Sequence, residues 1–282
     1  MNYRHAFHAG NFADVLKHAV FALILDYLGR KEAPFRVIDT HAGVGLYDLG
    51  GDEAQRTGEW AGGLGRVEAA SPPAEIAALL APWRGVVEEV RQDHGPSIYP
   101  GSPELARRLT RRQDRLVFIE KHPVDAGLLA ENMRRDARVK AIELDGWVAL
   151  NAYVPPKERR GVVLIDPPFE EPGELARMAR ALAGAYGKWR TGVYVLWYPI
   201  KDRRDTDRFA AECAAGPAEK ILRLELMLND GRDPTRLNGS GLLVVNPPWT
   251  LARDGAALLP WLAATLGGPG ARGACEWLAG GD

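Results

Sequence analysis

The chain has 282 residues, 46% of them hydrophobic, and a formal net charge of −1 at neutral pH. That apolar content suffices for one large core, and a charge so near zero excludes a global basic field, so any nucleic-acid contact has to come from local patches. Two distant cysteines, Cys213 and Cys275, supply neither a disulfide framework nor a CxxC metal site, and the apolar run at 15–28 is interrupted by Lys17, His18 and Asp26, which excludes a membrane span or secretion signal and makes the cytosol the expected compartment.

Residues 1–10 gather Tyr3, Arg4, His5, Phe7 and His8 before any periodic pattern begins, which is unusual for a frayed terminus. Asn11 is a helix cap with Asp14 in the first turn. An apolar face of Val15, Ala19, Ala22, Leu23 and Tyr27 predicts a helix to Gly29 that carries Lys17 and His18. His5, His8 and His18 read as surface or capping histidines, because their spacing does not converge on a tetrahedral zinc site. Residues 35–39 form the first expected strand and run directly into Thr40-His-Ala-Gly43-Val-Gly45. A strand, an acid and then glycines let backbone approach a nucleotide-like ligand. The loop is shorter than GxGxxG and suits a cofactor without phosphates, such as S-adenosylmethionine.

Between Gly45 and the next strand at 116–120 lies far more chain than a crossover needs. Residues 50–98 are therefore expected to form a small helical insertion subdomain within a single domain spanning 1–282, with helices at 73–80 and 83–93. Ser102 and Pro103 signal a further helix, Ser102 as its cap. That helix would carry Arg107, Arg108, Arg111 and Arg112, with Arg115 just after, forming either a solvated face or an RNA-facing patch.

The strand at 116–120 ends in Glu120, placed as the acid that accepts hydrogen bonds from ribose hydroxyls. A helix at 128–136 and a strand at 139–144 lead to Asp145-Gly146, an acid and an open turn suited to an adenine amine. Gly161-Val-Val-Leu-Ile-Asp-Pro-Pro-Phe169 reads as a buried parallel strand stopping in a rigid turn. Asp166 then sits at the carboxyl end, Pro167 and Pro168 fix the turn while leaving carbonyls free to accept, and Phe169 offers a face for a flat ring. Together they could hold one exocyclic base amine, and the pattern Asp/Asn/Ser-Pro-Pro-aromatic is similar to the catalytic motif of S-adenosylmethionine-dependent amino-methyltransferases. After a helix at 172–186, strands at 192–199, 221–228 and 241–246 complete seven, the doubly wound α/β pattern.

Asn246-Pro-Pro-Trp249 satisfies the same pattern. Position in the sheet favours Asp166, which ends the fourth strand beside the first at the switch point, whereas Asn246 ends the last.

Segments 2–11, 13–18, 39–43, 99–103, 165–168, 196–199 and 245–249, in that order, resemble those of the RlmJ family, bacterial 23S ribosomal RNA adenine-N(6) methyltransferases. The resemblance covers essentially the whole chain. It implies a Rossmann-like class I methyltransferase fold, a mostly parallel sheet with a helical insertion, and S-adenosylmethionine as methyl donor without a metal. Carried over position by position, it implies that His18, His41, Ser102, Glu120, Asp145 and Gly146 contact the cofactor, that Lys17 lies beside them, that Asp166 is the catalytic acceptor and that Tyr3 touches the target nucleotide. From the residues themselves, Gly43 and Asp166 join the cofactor side, Pro167, Pro168 and Phe169 the catalytic turn, and Arg4 and Phe169 the nucleotide side. Phe169 stands where the family usually has tyrosine; the stacking face survives and a hydroxyl is lost.

The expected partner is 23S rRNA, protein-free or early in assembly, bound by a monomer. An adenine-N(6) DNA methyltransferase would need a sequence-reading domain that the chain lacks, a nicotinamide oxidoreductase would need a phosphate fingerprint, and a silent RNA-binding module would not need Asp166, Glu120 and the glycine loop together.

Overall fold

Hydrophobic alternation in short β-branched runs, separated by helical stretches, produces the layers seen in a computed structural model that describes residues 4–281. In chain order, helix α1 (Phe12–Gly29) precedes β1 (Arg36–Asp39) and a short β2 (Leu46–Asp48). Helices α2 (Asp52–Thr57), α3 (Glu59–Gly62), α4 (Leu64–Ala69) and α5 (Ala74–His94) then lead to β3 (Ile98–Pro100) and α6 (Ser102–Leu109). An alternation follows of β4 (Arg115–Glu120), α7 (Pro123–Met133), β5 (Val139–Glu143), α8 (Gly146–Tyr153), β6 (Gly161–Ile165), α9 (Glu174–Lys188), β7 (Val193–Ile200) and α10 (Arg203–Ala214). The chain closes with β8 (Ile221–Met227), β9 (Gly239–Val245), α11 (Leu251–Leu266) and β10 (Arg272–Ala279).

Among the described residues, one sheet has eight strands in the order β10-β8-β9-β7-β6-β1-β4-β5, and β2 and β3 pair separately. Strands β5, β4, β1, β6 and β7 are parallel neighbours, whereas β9 lies antiparallel between β7 and β8. The crossovers leave β1 in both directions, toward β4 and toward β6, so the switch point falls between β1 and β6.

The pleat divides the apolar residues into two cores. Val37, Phe118 and Leu164 join α1, α5, α6, α7 and α11 on one face. Ile38, Ile119 and Ile165 join α8, α9 and α10 on the other. The doubly wound α/β arrangement is thus as expected, and helices α2–α5 fill the long interval between β2 and β3.

Several expectations need correction. The main sheet has eight strands rather than seven: β10 pairs only with β8, and its Gly and Ala positions blur the alternation that marks a strand. Residues 73–93 are one helix, α5, and not two. Leu80, Trp83, Val86 and Val87 are buried along its inner stripe, and their burial outweighs an interior Pro82 that costs about 3 kcal/mol. Helix α1 has no solvated face to speak of, since even Asp14, Lys17 and His18 are buried. Helix α6 ends at Leu109, so Arg111 and Arg112 lie beyond it. Its cap is Gly101; the Ser102 side chain donates instead to Asp39.

Candidate active site

A cleft of about 420 Å³ opens at the carboxyl ends of β1, β4 and β6. Helix α1 forms one wall. Asn11 caps it by accepting from the amides of Ala13 and Asp14, which sets Asp14, Lys17 and His18 on the side facing the cleft. Asp14 Oδ2 accepts from Gly10 N (2.9 Å) and bonds His5 Nε2 (2.9 Å), and Oδ1 lies 2.8 Å from Lys17 Nζ. Lys17 Nζ also donates to Asp166 Oδ2 at 2.6 Å. Burial alone would lower the Lys17 pKa, but Asp14 and Asp166 beside it raise it above the ordinary lysine range, so the group stays an ammonium. Burial would likewise raise Asp14, yet His5 and Lys17 hold it well below the usual carboxylate range. His18 is 1% exposed and shares a 2.8 Å hydrogen bond with the Tyr99 hydroxyl; burial lowers its pKa to about 3, leaving it neutral.

At the end of β6, Asp166 and Pro168 line the cleft, while Pro167 is buried beneath them. Among the described residues, Asp166 Oδ1 has no hydrogen-bond partner. Phe169 adopts φ 53°, its amide donates to Glu174 Oε2 (3.1 Å), and its ring packs edge-on against Trp197 at 5.6 Å. It therefore lies against the second core and does not line the cleft.

At the end of β1, buried Asp39 accepts from Ser102 Oγ (2.6 Å) and His41 N (3.2 Å), and burial raises its pKa to about 7. Gly43 is required twice over: its φ is +63°, and a Cβ there would fall 2.1 Å from the Tyr47 hydroxyl oxygen. Its amide donates to Glu120 Oε2 (2.9 Å), and His122 N donates to Oε1 (2.8 Å). Each oxygen keeps a lone pair for a further donor, which suits a ribose diol. Burial lowers His41 to about 4, and its ring stands edge-on to Trp147 at 5.3 Å. Asp145 caps α8 through Oδ1, and its Oδ2 lies 3.0 Å from Lys121. A Cβ on Gly146 would fall 2.3 Å from the Thr40 carbonyl oxygen, so α8 closes directly onto the β1 loop. Arg4 reaches Glu53 (3.2 Å) and Asp125 (4.0 Å) across the mouth. Tyr3 lies outside the described residues.

The fold thus brings Arg4, Lys17, His18, His41, Gly43, Ser102, Glu120, Asp145, Gly146, Asp166 and Pro168 to one cleft. Asp14, Asp39 and Arg177 were missed as site residues; the i, i+3 spacing of Asp14 and Lys17 was the available signal for the first. Arg177 lies over the Trp147 ring at 5.0 Å, at the cleft edge. Three of the arginines near α6 are occupied structurally: Arg107 and Arg108 pair with Glu104, and Arg111 with Asp114 and the carbonyls of Gly29, Lys31 and Ala33. The second proline turn is also placed. Val245 pairs with Tyr194 and Ile221 at the beginnings of β7 and β8, so Asn246 lies at the opposite sheet edge. Its side-chain amide donates to the carbonyls of Arg190 (2.7 Å) and Gly192 (2.8 Å).

Strand order, switch-point cleft and acidic strand ends define a Rossmann-like class I methyltransferase. The family model described as ribosomal RNA large subunit methyltransferase D, RlmJ, matches residues 32–279. The chain belongs to that family. Two curated relatives, both named ribosomal RNA large subunit methyltransferase J, are similar to it: one from Escherichia coli K12 is 41% identical over 267 residues, and one from Haemophilus influenzae is 40% identical over 270, each alignment covering 94% of both chains. A crystal structure of protein LPL1258 from Legionella pneumophila superposes with a TM-score of 0.86 at 32% identity, covering 95% of this chain and 98% of that one.

Proposed function

We propose that the chain transfers the methyl group of S-adenosylmethionine to the exocyclic N(6) amine of one adenine in 23S rRNA. The observation that carries this is the Asp166 carboxylate: it projects into the cleft at the switch point, with Oδ2 bonded to Lys17 and Oδ1 left to accept. Bound in the cleft, S-adenosylmethionine supplies an electrophilic methyl on a sulfonium centre. Glu120 would hold its ribose, Asp145 and Gly146 its adenine, and the Gly43 loop its close backbone approach; His41, His18 and Ser102 complete the wall.

The amine of adenine is a poor nucleophile because its lone pair is delocalised into the ring. Asp166 Oδ1 and the carbonyl of Pro167 would accept its two protons, favouring a tetrahedral nitrogen aimed at the methyl group. As the N–C bond forms, the methyl–sulfur bond would break with its electron pair going to sulfur, releasing S-adenosylhomocysteine, and the surplus proton, now acidic, would leave to Asp166 or water. Lys17, fixed by Asp14, would hold the carboxylate in one orientation throughout. Phe169, turning from Trp197, would stack on the extruded base, and Tyr3 and Arg4 would contact the target nucleotide. Gly51 and Glu53 of the 50–98 insertion, read as a subdomain, border the mouth. A monomer acting on protein-free or early-assembly RNA fits a cleft open to a single-stranded segment.

The test is transfer of labelled methyl to naked 23S RNA, DNA and assembled large subunits, with nucleoside analysis and Asp166→Ala alongside. N(6)-methyladenosine on RNA alone, lost in the variant, supports the proposal; an active variant overturns the site, and label on DNA overturns the substrate.

A further inference from the structure

The cleft is poorly equipped to attract phosphates. Among the described residues its lysines and arginines, Arg4, Lys17, Lys121 and Arg177, each face an acid, in order Glu53, Asp166, Asp145 and Glu174, and Glu170 and Glu171 add further negative charge. The opposite edge of the sheet is the reverse. The turns at 30–36, 110–115, 134–138, 154–160, 188–192, 215–220 and 246–254 hold sixteen lysines and arginines against six acids, a surplus of ten in a chain whose net charge is −1. Four of those acids are already matched: Glu158 by Arg36, Asp114 by Arg111, Asp136 by Arg138 and Asp254 by Arg253. Arg112, Arg135, Lys157, Arg159, Arg190 and Lys220 are exposed, with no acidic partner within 4.0 Å among the described residues.

The segments that carry them lie in a row. Lys220 O accepts from Asn246 N, Asn246 Nδ2 donates to Arg190 O, Thr191 Oγ1 donates to Arg159 O, and Arg36 N donates to Arg160 O. Continuing through β1, β4 and β5, the row crosses seven strands, roughly 30 Å at the usual strand spacing. Helix dipoles favour cations in a last helical turn, which accounts for Lys188 in α9; Arg112, Arg159, Arg190 and Lys220 lie beyond any helix, just ahead of strands. At one end of the row, Trp249 is 74% exposed, three residues after Asn246.

We infer that this edge is a second RNA-binding surface, on which the phosphate backbone of the substrate RNA lies along the basic row while Trp249 stacks on an unpaired base. The inference rests on the proposed RNA substrate. A surface on the far side of the sheet is reached only by RNA long enough to pass around the molecule, so it supplies affinity for a long transcript and nothing to a short hairpin holding the target adenine.

The experiment measures dissociation constants for naked 23S RNA and for such a hairpin, as a function of salt, with the wild-type chain, with Arg112→Gln/Arg159→Gln/Arg190→Gln/Lys220→Gln, and with Trp249→Ala. The quadruple variant is expected to bind the long RNA about tenfold more weakly, with a salt slope lower by about three, since each phosphate contact contributes roughly 0.7–0.9. Trp249→Ala is expected to weaken long-RNA binding about fivefold with the slope intact. Hairpin affinity and kcat stay unchanged in both. Unaltered long-RNA affinity and slope overturn the inference, as does an equal loss on both RNAs, which marks a general charge effect. Absence of methyl transfer to any RNA by the wild-type chain, with the binding pattern as described, overturns the proposed activity and leaves the surface standing.

Discussion

Lys17 Nζ stands 2.6 Å from Asp166 Oδ2, joining the first helix to the turn after β6 across 149 positions of sequence. Because Asp14 holds the same ammonium from behind, Lys17 joins two carboxylates, Asp14 and Asp166, and neutralises part of the charge of each.

Replacing Lys17 with Met leaves Asp14 and Asp166 facing one another without that charge. Removing one partner of a buried ion pair costs about 3–5 kcal/mol, so thermal unfolding of Lys17→Met should show a large drop in Tm. Methyl transfer should fall by about two orders of magnitude, as for loss of a preorganised electrostatic group. Asp14→Asn, which keeps the shape, should lose less of both.

Asp166→Asn keeps an oxygen able to accept from the amine, whereas Asp166→Ala keeps none. Single-turnover methyl transfer should rank wild type, Asn and Ala in descending order, with Ala down by about a thousandfold. Cofactor affinity, followed by calorimetry, should change much less than the rate.

Asp39 predicts a pH effect of definite sign. Its folded pKa, about 7, lies above the usual 3.8 because of burial, so the native state binds its proton more tightly than the unfolded chain does. Its contribution is complete below pH 3.8 and is lost as pH rises through 7, with an upper bound of about 4 kcal/mol. His41 and His18, lowered by burial to about 4 and about 3, act oppositely and lose stability as pH falls below 6.5. Urea unfolding at pH 5 and pH 8 should therefore be compared between wild type and Asp39→Asn. The variant should lack the Asp39 share of the loss at pH 8, and an identical pH difference in the two proteins would refute the assignment.

Gly146→Ala places a Cβ 2.3 Å from the Thr40 carbonyl oxygen, which has no room to give within the β1 loop. Helix α8 must shift and carry Asp145 with it. Binding of S-adenosylmethionine should weaken by about tenfold or more, on a chain whose circular dichroism is unchanged.

What the sequence made legible was local. Acids at the ends of apolar runs, Glu120 and Asp166, could be read directly because a buried strand and the turn after it are contiguous in the chain. Asn11 as a cap was legible for the same reason. The Lys17–Asp166 bond was not, since nothing within either segment records its partner, and Ser102 was misread as a cap because its hydroxyl is used by Asp39, 63 positions away. Three-residue β2 and β3 fall below the length at which alternation can be seen, and the helices expected at 73–80 and 83–93 are one, held together across Pro82 by burial of Trp83.

The polarity of β9 has a wider consequence. Asp166 and Asn246 head the same three-letter continuation, proline, proline, aromatic, yet one follows a strand rising to the crevice and the other a strand descending from it. A motif in this architecture is a vector as much as a string: scored without the heading of the strand that delivers it, the chain spells the same turn twice, and the fold delivers only the Asp166 copy to the crevice.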